Sequence, residues 1–261
     1  SYLALGQLGY VSVGVGIGAP AAALFHLCSV LAAYLLVALG VGRVMHALGG
    51  RADVEAEGGG LAFFLPVTFW VVLVGTLSLA GVPPLAGFWS QGQILYMAYG
   101  SGDPGVWAMG CLAALLGAVA ASRLFCLVFV GGARGEATKP MIEWPAVAAG
   151  AVVPPGVFCL ASSWWCFPLG QGSFLQFTAG QWPAAVAGGR LAVVELAAVL
   201  IGLAAIGLLL AWGVFAERRV ATRPGTVWRL GGVFDQWGLG IGRMLASCGH
   251  VLYAAIECLT L

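Results

Sequence analysis

The chain has 261 residues, of which 61% are hydrophobic and only 8% charged, and its net charge is +1 at pH 7. Charged residues make up about a quarter of an ordinary soluble domain, so this composition excludes one, and it excludes a disordered chain as well. With a mean hydropathy of +0.99 and no surplus of cations to meet phosphate, nucleic acid is excluded as a partner and a lipid bilayer is the expected surrounding.

Apolar runs set off by polar punctuation predict an all-α, polytopic protein with about six transmembrane helices, at 3–18, 21–46, 62–98, 104–131, 144–163 and 191–216. The third run carries the most information. Straight, 62–98 would be roughly 55 Å long at about 1.5 Å per residue, well beyond a hydrocarbon core of about 30 Å. The sequence offers a break at Gly81-Val82-Pro83-Pro84, where two prolines remove backbone donors and crowd the preceding turn. Unwound backbone survives in lipid only when protein or a wet cavity surrounds it, so Gly81, Pro83 and Pro84 mark a discontinuous helix. Gln91 and Gln93 follow the break, and their amides are placed to satisfy backbone groups that it frees.

The loops alternate between a basic set (Arg51; Arg134 and Lys139; Arg218, Arg219 and Arg223) and a set poor in cations (near Gly18, at Asp103, and 164–190). The basic loops face the cytoplasm or matrix by the positive-inside rule. The 164–190 loop, with Trp164, Trp165, Phe167, Phe174, Phe177 and Trp182, reads as an interfacial aromatic belt. Residues 1–218 are expected to form the helical bundle, and 219–261 a linker and the start of an amphipathic, lateral helix. In that tail Arg229, Gln236, Arg243, His250 and Glu257 stand seven apart, on one stripe of a helix.

Ionisable groups at membrane depth are costly and are functional candidates. They are His26 and His46 on the second span, Arg123 on the fourth and Glu195 near the start of the sixth. The last two sit close enough to span ends for interfacial roles. Seven cysteines are scattered through apolar runs without a CxxC pair and read as small core hydrophobes. No catalytic triad, carboxylate pair, metal-ligand cluster or phosphate loop stands out.

Residues 20–64 and 65–97, with VMHALGG at 44–50 and LAGVPPLAGFWSQGQIL at 79–95, closely resemble the second half of NADH dehydrogenase subunit 5, the distal antiporter-like subunit of the membrane arm of respiratory complex I. GQLGY at 6–10 is similar to the family's SQLGY; Ala121–Phe125 and EATKPMIEWP at 136–145 resemble the following segments; Phe234-Asp235-Gln236-Trp237 is similar to the opening of the family's lateral helix. The VMHALGG signature points to subunit 5 rather than to subunits 2 and 4.

The resemblance implies a split subunit of which this is the C-terminal part, in the mitochondrial inner membrane or, alternatively, a bacterial plasma membrane. It implies as partners the other membrane-arm subunits, including the neighbouring antiporter-like subunit 4 and a separate chain with the N-terminal half. It places NADH, FMN, iron–sulfur clusters and ubiquinone on other subunits, with none bound here and phospholipid the one ligand left open. The chain departs from the family pattern where protons are expected to move. The helix of His26 carries Val30 and Tyr34 where the family has His and Lys, and FSKDEIL becomes Phe88-Trp89-Ser90-Gln91-Gly92-Gln93-Ile94-Leu95. Amides cannot titrate, and tyrosine, with an ordinary pKa of about 10, is a poor replacement. His26, Tyr34, Gln91, Gln93 and Glu195 are the candidate path residues, and weakened or lost conduction is the expectation. The alternatives are a subunit of a cation/proton antiporter complex and a purely structural brace.

Overall fold

The structure, a computed structural model, describes residues 2–48, 61–130, 146–166 and 189–213. Among them every regular element is helical and no strand occurs: α1 (Tyr2–Gly16), α2 (Pro20–Ala47), a 3-10 turn (Leu61–Phe63), α3 (Pro66–Leu79), α4 (Ala86–Gly100), α5 (Pro104–Phe129), α6 (Ala146–Cys166) and α7 (Gly189–Ala211). Pro20, Pro66 and Pro104 each open a helix at its first turn, where a missing N–H costs nothing because that donor has no intrahelical partner. Asp103 caps α5, its Oδ1 accepting from the amides of Gly105 at 2.9 Å and Val106 at 3.3 Å.

Two helices, α2 with 28 residues and α5 with 26, are long and apolar enough to cross a membrane, and Leu3–Gly16, Pro66–Leu79, Gly150–Ser162 and Glu195–Ala211 are shorter apolar helical stretches. The long third run is interrupted, with α3 ending at Leu79 and α4 starting at Ala86. The sixth helix differs from the plain span read at 144–163, because Pro154 and Pro155 lie inside it. The aromatic residues beyond Cys166 and the polar stripe of 226–260 lie outside the described residues.

The central helix is α2, which packs against α1, α3, α4 and α6, while α5 lies chiefly against α7 and α3. Its buried positions, Ala22, His26, Ser29, Ala33, Leu36, Gly40 and Val44 among them, recur at three- and four-residue spacing on one face. Outward-facing Leu24, Leu31 and Leu35 are 47% exposed or more, as lipid-facing positions should be. Close approach of α2 and α3 depends on two glycines: a Cβ at Gly75 would lie 2.9 Å from the carbonyl oxygen of Ala33, and one at Gly40 would collide with Val72.

Three apolar clusters stack along α2. The first joins Tyr10, Ala22, Phe88, Ile94 and Leu95; the second joins Val30, Ala33, Leu36, Leu79, Ala118 and Cys159. The third joins Val44, Leu61, Leu65, Val72, Val128 and Phe129, with Phe69 edge-on to Phe125 and to Phe129 at 5.3 Å between ring centroids. Buried hydroxyls turn back on their own helices: Ser29 donates to Phe25 O at 2.8 Å, Thr76 to Val72 O at 2.7 Å and Ser122 to Ala118 O at 2.6 Å. Most of the interior is therefore apolar or internally satisfied. The exception lies between the first two clusters.

Candidate functional site at the broken helix

The last carbonyls of α3 explain the site. Thr76 O accepts from Ala80 N, Leu77 O from Val82 N and Ser78 O from Gly81 N, at 2.9–3.1 Å. Leu79 O would look to the fourth residue on, which is Pro83 and has no N–H. It takes side-chain donors instead: Gln7 Nε2 from α1 at 3.3 Å and Gln91 Nε2 from α4 at 3.5 Å. The same Gln91 Nε2 donates to Gln7 Oε1 at 3.3 Å. Both glutamines are at most 4% exposed, so each partner left unmade would carry a full desolvation cost.

On the other side of the break, the Gly87 amide at the start of α4 donates to Ser78 Oγ at 3.2 Å. A Cβ at Gly87 would collide with the Ser78 carbonyl oxygen, so only glycine lets α4 leave so close to the end of α3. Gly81 has φ +71°, in the left-handed region that glycine enters without penalty, and it turns the chain out of α3.

His26 faces this junction from α2, fully buried. Its Nδ1 lies 3.0 Å from Ser90 Oγ, and that hydroxyl donates to Gly87 O at 3.2 Å. The two contacts of this hydroxyl link the imidazole on α2 to the first turn of α4. Nε2 has no hydrogen-bond partner among the described residues. The imidazole stands edge-on to Tyr10, with ring centroids 5.4 Å apart, and the Tyr10 hydroxyl donates to Gly110 O on α5. Gln7, His26, Ser29, Ser78, Gly87 and Gln91 border a crevice too narrow for a water molecule. Tyr10, Ala22 and Phe88 lie in the cluster toward one end of α2, and Val30, Ala33 and Leu79 in the cluster toward the other.

The sequence-derived candidates separate here. His26 and Gln91 meet at the junction with the break residues Gly81, Pro83 and Pro84. Tyr34 is half-buried against the second apolar cluster; Gln93 is half-buried on α4 outside the crevice lining; Glu195 and Arg123 are exposed. Two residues escaped the sequence reading. Gln7 was seen only as part of the GQLGY match, although a glutamine on an apolar helix seven residues into the chain is a signal in itself. Arg43, one turn before His46, donates to its Nδ1 at 3.3 Å in an exposed position. Among the described residues no group of three or more His, Cys, Asp or Glu could hold a metal.

Chemically the arrangement holds one titratable ring in a dry polar junction whose other members are amides and hydroxyls. Residues 1–117 match the NADH:quinone oxidoreductase/Mrp antiporter transmembrane family. The chain is 36% identical over 143 residues to NAD(P)H-quinone oxidoreductase chain 5 of Synechocystis, a stretch covering 52% of this chain and 21% of that protein. It is 40% identical over 136 residues to NADH-quinone oxidoreductase subunit L of Campylobacter jejuni, covering 52% and 23%, and 38% identical over 139 residues to the chloroplastic subunit 5 of Adiantum capillus-veneris, covering 50% and 19%. The match thus spans about a fifth of the length of each relative. Over its first half, the chain is thus similar to subunit 5 and subunit L proteins of NAD(P)H- and NADH-quinone oxidoreductases.

Proposed function

We propose that this chain is a membrane-arm subunit of respiratory complex I, embedded by about six spans in the mitochondrial inner membrane, and that it conducts protons weakly or not at all through this part. The observation that carries the reading is the Gln7–Gln91 pair at the helix break. Proton transfer along a buried path requires groups that gain and lose charge, and the polar atoms gathered at this break are amides, hydroxyls and one histidine. His26 is held by Ser90, which also contacts the Gly87 carbonyl, and the residues lining the crevice include no carboxylate or lysine to carry a proton onward.

The rest of the antiporter-like fold would come from a separate chain or from further sequence of this one, with subunit 4 as a neighbour. The NADH, flavin, iron–sulfur and ubiquinone chemistry would reside in other subunits. Residues 1–218 would form the bundle, and 219–261 would lead into a lateral helix on the basic side. Labelling Cys258 in sealed vesicles tests that placement, since reaction from the cation-poor face alone would make the tail a seventh span.

Protons moved per NADH oxidised, measured in vesicles holding the intact complex, test conduction. The expected result is a stoichiometry below that of a complex whose subunit 5 retains its lysines, unchanged by His26→Ala and raised by Gln91→Lys. A full stoichiometry that drops with His26→Ala would overturn the reading. Migration with NADH-oxidising activity on a native gel separates complex I membership from a cation/proton antiporter assembly, which would run without that activity.

A further inference from the structure

We infer that Gln7 is a positioning residue that, by holding Gln91 on the Leu79 carbonyl, keeps the broken helix closed to water. The inference rests on the reading of a weakly conducting subunit and names the device responsible. Four observations carry it. Pro83 deprives Leu79 O of its helical donor, leaving an acceptor that must be met by a side chain or by water. Gln7 reaches it from α1 and Gln91 from α4, so one carbonyl is shared by three helices. The two amides are also joined to each other, Gln91 Nε2 donating to Gln7 Oε1. Finally, the crevice they border leaves no room for a water molecule, and Val30, Ala33 and Leu79 of the second apolar cluster line it.

In this arrangement Gln91 alone cannot form the seal. Its Nε2 is 3.5 Å from Leu79 O, the longer of the two approaches, and without Gln7 its second acceptor disappears. The carbonyl would then recruit water, and water beside Nε2 of His26 would connect the junction to solvent. Gln7 is thus the closure and Gln91 the group that it orients.

The test uses the full chain in sealed lipid vesicles, with two readouts: the decay of an imposed pH gradient, and modification of native Cys159 by a small water-soluble methanethiosulfonate, read by peptide mass. Cys159 is fully buried and packs in the cluster with Leu79, Val30 and Ala33, so it reports water at the break. Wild type is expected to hold the gradient as well as protein-free vesicles and to leave Cys159 unmodified. Gln7→Met keeps the volume and removes both polar atoms. It is expected to speed the decay about tenfold, the shift in a closed–open equilibrium that losing one or two buried hydrogen bonds produces, and to expose Cys159. Gln91→Met is expected to do the same, and the double variant to do no more than either single one. Gln7→Asn, too short to reach Leu79 O, provides a second variant should the methionine fail to insert.

Folded Gln7 variants with wild-type gradient decay and an unmodified Cys159 would overturn the seal and leave the weakly conducting reading standing. Wild-type vesicles that dissipate the gradient in a His26-dependent manner would instead overturn that reading, and the seal with it.

Discussion

Two proline pairs interrupt helical sequence in this chain, and only one of them breaks a helix. At Pro83-Pro84 the helix stops at Leu79 and resumes at Ala86; at Pro154-Pro155 α6 runs on from Ala146 to Cys166. The two pairs share their residues but differ in their peptide bond, which is cis at Pro83-Pro84, and in their neighbours. Before the first pair stands Gly81 in the left-handed region, and around it Gln7, Gln91 and Ser78 take up the backbone groups that the break sets free. The second pair has none of these. Val153 and Val157 flank it at 58% and 55% exposure, on an apolar outward face where an open turn would leave carbonyls facing hydrocarbon. In this protein proline weakens a helix, and a glycine with polar partners turns the weak point into a break.

The largest effect expected on this contrast comes from Gly87. Gly87→Ala would drive a methyl group into the Ser78 carbonyl, a backbone atom that cannot swing aside, and should cost roughly 3 kcal/mol; thermal unfolding in detergent checks it, and an unchanged melting temperature would mean that α4 does not leave α3 at close quarters. Next, replacing both Pro154 and Pro155 with alanine should raise stability by about 2 kcal/mol, since a regained N–H closes the α6 ladder. Slower hydrogen exchange across 150–159 is the accompanying sign. Gly81→Ala should lose about 1.5 kcal/mol through its left-handed backbone alone, with Gln91 Oε1 2.5 Å from the new Cβ adding to the loss; equal effects at Gly81 and at Gly150, a helical glycine with open space around it, would erase the distinction between the two pairs. The smallest effect is at an ordinary helix start. Asp103→Ala removes the acceptor for two amides and should cost about 1 kcal/mol, measured in the same melts, with no change in proton permeability.

The break was legible in the sequence because two independent constraints coincide there: a run too long for a bilayer and a proline pair inside it. The buried stripe of α2 was legible for the same kind of reason, as helical spacing leaves Ala22, His26 and Ala33 on one face. The partner of the break was not. Gln7 and Leu79 are separated by most of α1, α2 and α3, and no spacing rule joins a lone glutamine to a carbonyl orphaned by a distant proline. Nor does periodicity distinguish Tyr34 from His26. Both lie on α2, but eight residues carry Tyr34 past the junction into an apolar cluster, and only the packed neighbours reveal that. Arg43 stands one turn before His46, a spacing that is plain in the sequence. The proline pair of α6 shows the limit from the other side: the motif that correctly indicates a break in one helix would have been wrong in another.

The lengths of α3 and α4 also bear on how the chain enters a membrane. With 14 and 15 residues, each covers only about 22 Å as a helix, and neither alone fills a bilayer core of about 30 Å. An insertion machine sampling the growing chain would meet a first half-helix too short to leave sideways into lipid, ending in an unmet carbonyl. The second half carries two glutamines and is only one residue longer. The pair must therefore partition together, after α1 and α2 have been synthesised, so that Gln7 and His26 are already at hand when the break arrives. Order of synthesis thereby becomes part of the design of the break: a permuted chain delivering α3 and α4 ahead of α1 should stall at the translocon or be degraded, even though every residue of the finished bundle would be present.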